Sequence, residues 1–398
     1  MLKNDAYRAW KTAIQGHRLP TAIVLLDAVD ANLKIFSEVM RAHPEKKLRV
    51  ATKSIRCPEL IRYVKRSLGD TARGLMTYTA EETEFWANEG ERDLLLAYPT
   101  MSTTDAEAIA RANKLGAVAS VVVDEEAHLA PLASAAEKFA VQIPLVIELD
   151  LAYRQLGSLV HLGVRRSSVR EPEEVVKLAK KIAETRALRF HGVMGYEAQI
   201  AGVGDDEAAA RAMKVWSRGE VATRRAAVRE SLERAGLSPL LFNGGGSGSI
   251  RSTVEEKCLT EVTAGSGFLD SHLFDHYRDL PLEPAIAFAL QVVRRPSPDF
   301  VTVHGGGFVA SGKAGVDRLP IPWLPEGLSL TALEGAGEVQ TPIANPAKIP
   351  LDLGDPIFFM HAKAGELAEH FDKYLLVRGD RVESKATTYR GLGKVFLG

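Results

Sequence analysis

The chain has 398 residues, 46% of them hydrophobic, with 50 Lys plus Arg against 51 Asp plus Glu and a formal net charge of -1. That length exceeds one typical domain, and the charge balance argues against a nucleic-acid or membrane-surface partner recruited by basic excess. Two cysteines, Cys57 and Cys258, are too few for a disulfide framework or a thiolate metal site. The start, Met1-Leu2-Lys3-Asn4-Asp5, is polar and unlike a signal segment, and no window approaches a charge-free membrane span, so a soluble cytoplasmic protein is expected.

Apolar strand patterns recur in chain order at 21–27, 48–54, 74–79, 93–99, 119–124, 143–150, 189–196, 240–246 and 260–267. Helical patterns separate them at 28–42, 58–67, 80–88, 103–115, 125–139, 172–185 and 205–235. Thr79 before Ala80-Glu81-Glu82 and Asp124 before Glu125-Glu126 read as helix starts. The alternation reads as repeated βα units on a parallel sheet. Eight strand candidates from residue 48 onward predict a closed (β/α)8 TIM-type barrel. The helix at 28–42 then fills the eighth helix position, and 21–27 is left to lie elsewhere, in the second domain. Helical periodicity fades beyond Val293, Pro and Gly are frequent from 296 to 356, and strand-like pieces follow at 300–304, 329–333, 356–361 and 374–377. The expected division is an N-terminal segment 1–27 packing with a β domain, a barrel 28–280, and a C-terminal β-rich domain 281–398.

In such a barrel the carboxyl ends of the strands converge on one face, where sites are built. Lys53, Tyr196, the turn Asn243-Gly244-Gly245-Gly246-Ser247 and the pair Gly265-Ser266 fall at such ends. A primary amine held on a rigid strand end can attack an aldehyde, although an isolated lysine there is more often simply solvated. The glycine turn allows close backbone approach, and its N–H groups can form an anion nest. It is not a P-loop, because no Gly-Lys-Ser/Thr follows, and Ser249 spoils a dinucleotide fingerprint. An ordinary strand–helix turn is the competing reading. His191 and Tyr196 differ by five positions, so in a regular strand they face opposite ways. Tyr196, at the end, is the better placed for a site.

The order of these elements carries a resemblance. A lysine near residue 50, an Arg-x-x-Val element at Arg166, a Gly195-Tyr196-Glu197 strand end, the Gly244 to Ser249 turn and Thr263-Ala264-Gly265-Ser266 resemble the fold-type III pyridoxal phosphate enzymes of the alanine racemase superfamily. The branch resembled is that of D-threonine aldolase and D-serine dehydratase. The resemblance implies that Lys53 carries the cofactor, that Arg166 contacts its ring oxygen (with Arg165 as the alternative), and that Tyr196 stacks near it. It further implies that Asn243, Gly245, Gly246, Ser247, Gly265 and Ser266 surround the phosphate. The branch holds a divalent metal with a histidine and, two residues on, a cysteine or aspartate. Here the pair is His361 and Lys363, and a protonated lysine is no ligand. His361 is therefore expected as a weak metal ligand or a metal-free base, with His304 as a second candidate base.

The function implied is a lyase that cleaves a β-hydroxy-α-amino acid to an aldehyde and glycine or another small amino acid. A dehydratase, a racemase and a non-catalytic cofactor carrier remain as alternatives. The partners expected are a small amino-acid substrate and, by analogy, a second copy of the chain in a homodimer.

Overall fold

In a computed structural model, residues 3–155 and 160–397 are described. The chain forms two compact units, one of Phe36–Lys53, Leu68–Gly265 and Phe396–Gly398, the other of Met1–Ile35, Ser54–Ser67 and Ser266–Val395.

The first unit holds a closed parallel barrel. Its strands in chain order are Lys47–Ala51, Ala72–Thr77, Asp93–Leu96, Val118–Val123, Ile143–Glu148, Leu188–Gly195, Leu241–Gly244 and Glu261–Ala264. The last closes on the first through Val262 opposite Leu48 and Ala264 opposite Val50. These are the eight strands read from the sequence. Their near-continuous apolar runs are what burial on both faces requires. The loop after the fifth strand adds a hairpin, Tyr153–Gln155 with Val160–Leu162, which hydrophobic patterning did not signal.

The barrel interior is layered. Leu95, Ala97, Val122, Val146, Met194 and Leu241 form one buried cluster, with Met76 and Tyr98 packed against it. Side chains alternate along a strand. Residues two places beyond Val122, Val146 and Met194 therefore share their face, one layer nearer the carboxyl ends. Those residues are Asp124, Glu148 and Tyr196.

Deeper, the layer is ionic. Arg49, with no exposure, grips Glu261 through Nε to Oε1 at 2.6 Å and Nη2 to Oε2 at 2.9 Å. Its Nη1 donates to Asp93 at 2.7 Å, and Asp93 also accepts from Arg73 at 2.9 Å. Buried charges persist only when paired and hydrogen-bonded, and here each has its partner.

Surrounding helices begin where side chains can accept the first N–H groups. Thr79 accepts from Glu82 N, and Ser102 from Asp105 N. The helix expected from 125 starts later: a 3-10 turn, Glu126–His128, precedes Leu129–Phe139.

The second unit is built on a nine-stranded sheet. Thr21–Leu25 is one of its central strands, antiparallel to Ile286–Ser297 and parallel to Lys373–Arg378. Ile286–Ser297 is a 12-residue strand, whereas the sequence suggested helical periodicity as far as Val293. Its apolar half, Ile286 to Leu290, is buried at every position, and the strand is paired along both edges, Ala287 opposite Ile23 and Phe288 opposite Phe359. With every position buried, alternation disappears and a strand cannot be told from a buried helix by periodicity. No helix among the described residues is long and apolar enough to cross a membrane.

Candidate active site

Lys53 lies two residues beyond the first barrel strand, in a 3-10 turn over Thr52–Ser54. It is exposed, and its Nζ donates to Tyr98 Oη at 3.1 Å. Tyr98 follows the third strand, so this contact spans two strand ends of the barrel. Thr52 Oγ1 donates to Met76 O at 3.0 Å, which fixes the turn to the second strand.

Tyr196 follows the last residue of the sixth strand, while His191 lies inside it at a register shift and is buried. Leu240 N bonds His191 O, which puts His191 level with the start of the seventh strand. The two are thus separated along the barrel, and the register shift at His191 breaks the regular alternation on which their opposite facing was expected. The Arg166 guanidinium sits 5.8 Å from the centre of the Tyr196 ring, in cation–π range. Burial, with Glu197 next in effect, pushes the Tyr196 phenol up to about 12, so it is a hydrogen-bond donor at neutral pH.

Each glycine of the triple turn has its own reason. Gly244 faces Arg225, whose Nη2 would lie 2.6 Å from an added Cβ. Gly245 has φ of +91°, the left-handed region that side chains disfavour. A Cβ on Gly246 would lie 3.0 Å from Ala201 Cβ and 3.1 Å from Tyr196 Cε2. The turn is also tied across to the eighth strand end: Gly265 N donates to Ser247 Oγ at 3.3 Å.

Three of the expected phosphate neighbours have partners of their own. The Asn243 amide donates to Glu261 at 2.7 Å and to Thr263 at 2.8 Å, so its side chain serves the ionic layer below. Gly245 N donates to Glu197 at 3.2 Å and Gly246 N to Ser249 Oγ at 3.1 Å, so these two N–H groups hold the turn itself. Ser266 begins the short helix Ser266–Leu269 of the other unit.

The residues missed from sequence are those around this turn. Glu197 is fully buried and accepts from Ser249 Oγ at 2.7 Å, Thr253 Oγ1 at 2.5 Å and the Arg225 guanidinium. Tyr98, Asp124 and Glu148 also stand at strand ends, and the rule of converging carboxyl ends was the signal that would have found them. Glu148 is buried, and that burial lifts its carboxyl to about 7 against the opposing pull of Arg166.

In the second unit His361 follows the strand Pro356–Met360 and is 1% exposed. Its Nδ1 lies 2.6 Å from Lys363 O and 3.0 Å from Lys363 N; in the tautomer whose Nδ1–H donates to that carbonyl, Nε2 carries the lone pair. Nε2 is buried without a partner, and burial lowers the imidazole to about 4, so the ring is neutral at pH 7. Lys363 Nζ donates to Ser311 Oγ at 2.7 Å and pairs with Glu366 at 3.1 Å. Among the described residues no three His, Cys, Asp or Glu side chains are grouped to hold a metal ion. The expected ligand at His361 therefore has no matching donor set among the described residues.

His304 is exposed and lines a groove with His17, Arg18, Gln291 and Pro356. The register sets it near the Pro356 end of the strand that His361 follows. At about 3.3 Å per residue that separates the two histidines by roughly 15 Å, so they do not share one site.

Comparison with known proteins agrees with this architecture. Residues 24–269 match the family model described as alanine racemase, N-terminal domain. A 3-hydroxy-D-aspartate aldolase of Paracoccus denitrificans (strain Pd 1222) is 27% identical over 253 residues, 63% of this chain and 60% of that protein. The chain thus matches less than two thirds of that relative's length. The solved D-threonine aldolase from Filomicrobium marinum superposes with a TM-score of 0.79 at 22% identity, covering 94% of this chain and 95% of that one. The D-threo-3-hydroxyaspartate dehydratase from Delftia sp. HT23 gives 0.75 at 17% identity, covering 94% and 98%. At such identities the structural likeness speaks for the fold, while the family model spans more than half of the chain. A (β/α)8 barrel with a lysine just past its first strand, matched by that model along almost its whole length, places this chain in the alanine racemase N-terminal domain family.

Proposed function

We propose that the protein is a pyridoxal phosphate-dependent lyase that cleaves a β-hydroxy-α-amino acid of D configuration, releasing an aldehyde and glycine or a small amino acid. The observation that carries the reading is the convergence at one barrel mouth of a lysine amine, an Arg166–Tyr196 stack and a glycine turn tied to the next strand end. Those residues fit the cofactor chemically. Gly246 lets the turn pack directly against Tyr196, where a side chain would crowd the ring. When bound, pyridoxal phosphate supplies an electron-accepting ring that stabilises charge at the substrate α-carbon.

The rest is done by the chain. Lys53 would hold the cofactor through its amine. Arg166 would lie against the ring oxygen, and Tyr196, whose phenol is neutral, would lie beside the ring. Ser247, Gly265 and Ser266 would hold the phosphate, while Gly245 and Gly246 shape the turn. His361 takes the β-hydroxyl proton, because its ring is uncharged at pH 7 and its Nε2 has no other partner. No step is assigned to a metal. A homodimer and a cytoplasmic location belong to the same proposal.

Product analysis with D-threonine, D-phenylserine and 3-hydroxy-D-aspartate tests it. An aldehyde and glycine are expected. Ammonia with an oxo-acid would make the enzyme a dehydratase, and an inverted amino acid a racemase. Cofactor binding without turnover of any would leave a carrier.

A further inference from the structure

Beneath the glycine turn lies a buried ion pair that the proposed chemistry does not use. Arg225 comes from the middle of the long helix Ala208–Arg234 and has no exposure. Its Nη2 donates to Gly195 O at 2.7 Å and to Glu197, and its Nη1 to Glu256 at 2.6 Å. Glu197 in turn receives four donors: Arg225, Gly245 N, Ser249 Oγ and Thr253 Oγ1. Burial pushes the Glu197 carboxyl up, but Arg225 and the two hydroxyls outweigh it, so the group is held ionised. The pair therefore binds the sixth strand end, the seventh strand end and the following short helix into one rigid piece. Gly244 is glycine because the guanidinium occupies the place of its Cβ. An anion held by a turn needs fixed donors, since N–H groups that reorient lose their combined field.

We propose that Glu197 and Arg225 are positioning residues that hold the Gly244–Ser249 turn in its anion-receiving shape and so determine the preference for a phosphorylated ligand. The inference rests on the cofactor reading above but concerns only the phosphate end. Glu197 organises the turn from below and touches no reacting atom. Without it Gly245 N, Ser249 Oγ and Thr253 Oγ1 lose their common acceptor, and Arg225 is left buried beside a mobile turn.

The test uses full-length apoprotein and three probes: pyridoxal 5'-phosphate, pyridoxal and inorganic phosphate. Pyridoxal has the same aldehyde for Lys53 but no phosphate. In Glu197→Gln, affinity for pyridoxal phosphate should fall about tenfold or more, the effect of one charged hydrogen bond. Affinity for pyridoxal should change by less than about twofold, and inorganic phosphate should compete less well. Ser249→Ala, a milder change, should shift the same ratio in the same direction by about threefold, and it decides the matter if Glu197→Gln does not fold. Equal losses for both aldehydes, or no change in their ratio, would overturn the proposal. A wild-type apoprotein that shows no preference for the phosphorylated form would instead contradict the cofactor reading itself.

Discussion

Lys53 and Tyr98, 45 residues apart, meet at 3.1 Å through Nζ and the phenol oxygen. The ammonium also lies 5.9 Å from the centre of the same ring. One aromatic side chain from the third strand end thus sets where the amine of the first can reach. Tyr98→Phe keeps the ring and removes the acceptor. Capture of pyridoxal phosphate by the apoprotein should slow by about two- to tenfold, the worth of one ordinary hydrogen bond. An unchanged capture rate would mean that Tyr98 does not orient Lys53.

The ionic layer under the site predicts an asymmetry in stability. Arg49→Met leaves Glu261 buried without its principal cation and should cost roughly 3–5 kcal/mol in denaturant unfolding. Changing both residues, Arg49→Met with Glu261→Leu, should recover part of that loss, because no buried charge is then orphaned. If the double variant is less stable than Arg49→Met, the layer contributes more by its hydrogen bonds to Asn243 and Asp93 than by charge balance.

Glu148 gives the stability a pH dependence. Burial raises its carboxyl from 4.5 to about 7 in the folded protein, so the native state binds the extra proton between those values. Stability from this group is fully present below about 4.5, is lost as pH rises through about 7, and stays flat above that. Glu148→Gln should therefore be more stable than wild type at pH 8, with the advantage shrinking toward pH 4.5. An advantage constant across that range would show that Glu148 does not titrate abnormally.

His361 and the metal question separate cleanly. With no group of three suitable ligands among the described residues, activity should survive chelator treatment and fall by at least about a hundredfold in His361→Ala, within the usual range for a general base. Thermal stability of that variant should be measured beside turnover, since His361 is buried. Activity abolished by chelator and restored by manganese or zinc would contradict the metal-free assignment.

Much of the barrel was legible because its physics is periodic. Parallel strands buried on both faces read as apolar runs, and the βα alternation gives their count. Lys53, Tyr196 and the glycine turn were visible because strand ends face one way. Ile286–Ser297 was not, since Ile286 to Leu290 are buried on both faces and alternation is lost. Arg225 was invisible for another reason. It lies mid-helix beside Arg224 among small and apolar residues, and only folding brings it to Glu197, 28 positions back. The Gly195-Tyr196-Glu197 string showed a tyrosine worth naming but gave no sign that the next carboxylate would be buried. The separation of His304 from His361 came from strand register, which local sequence does not encode.

The central claim is that Lys53 carries the cofactor. Reduction of the protein with borohydride in the presence of pyridoxal phosphate, followed by peptide mass analysis, tests it most directly. The account predicts one stable label, on Lys53, with loss of both visible absorbance and activity in Lys53→Ala. A label on another lysine, with Lys53→Ala still absorbing and active, would contradict it.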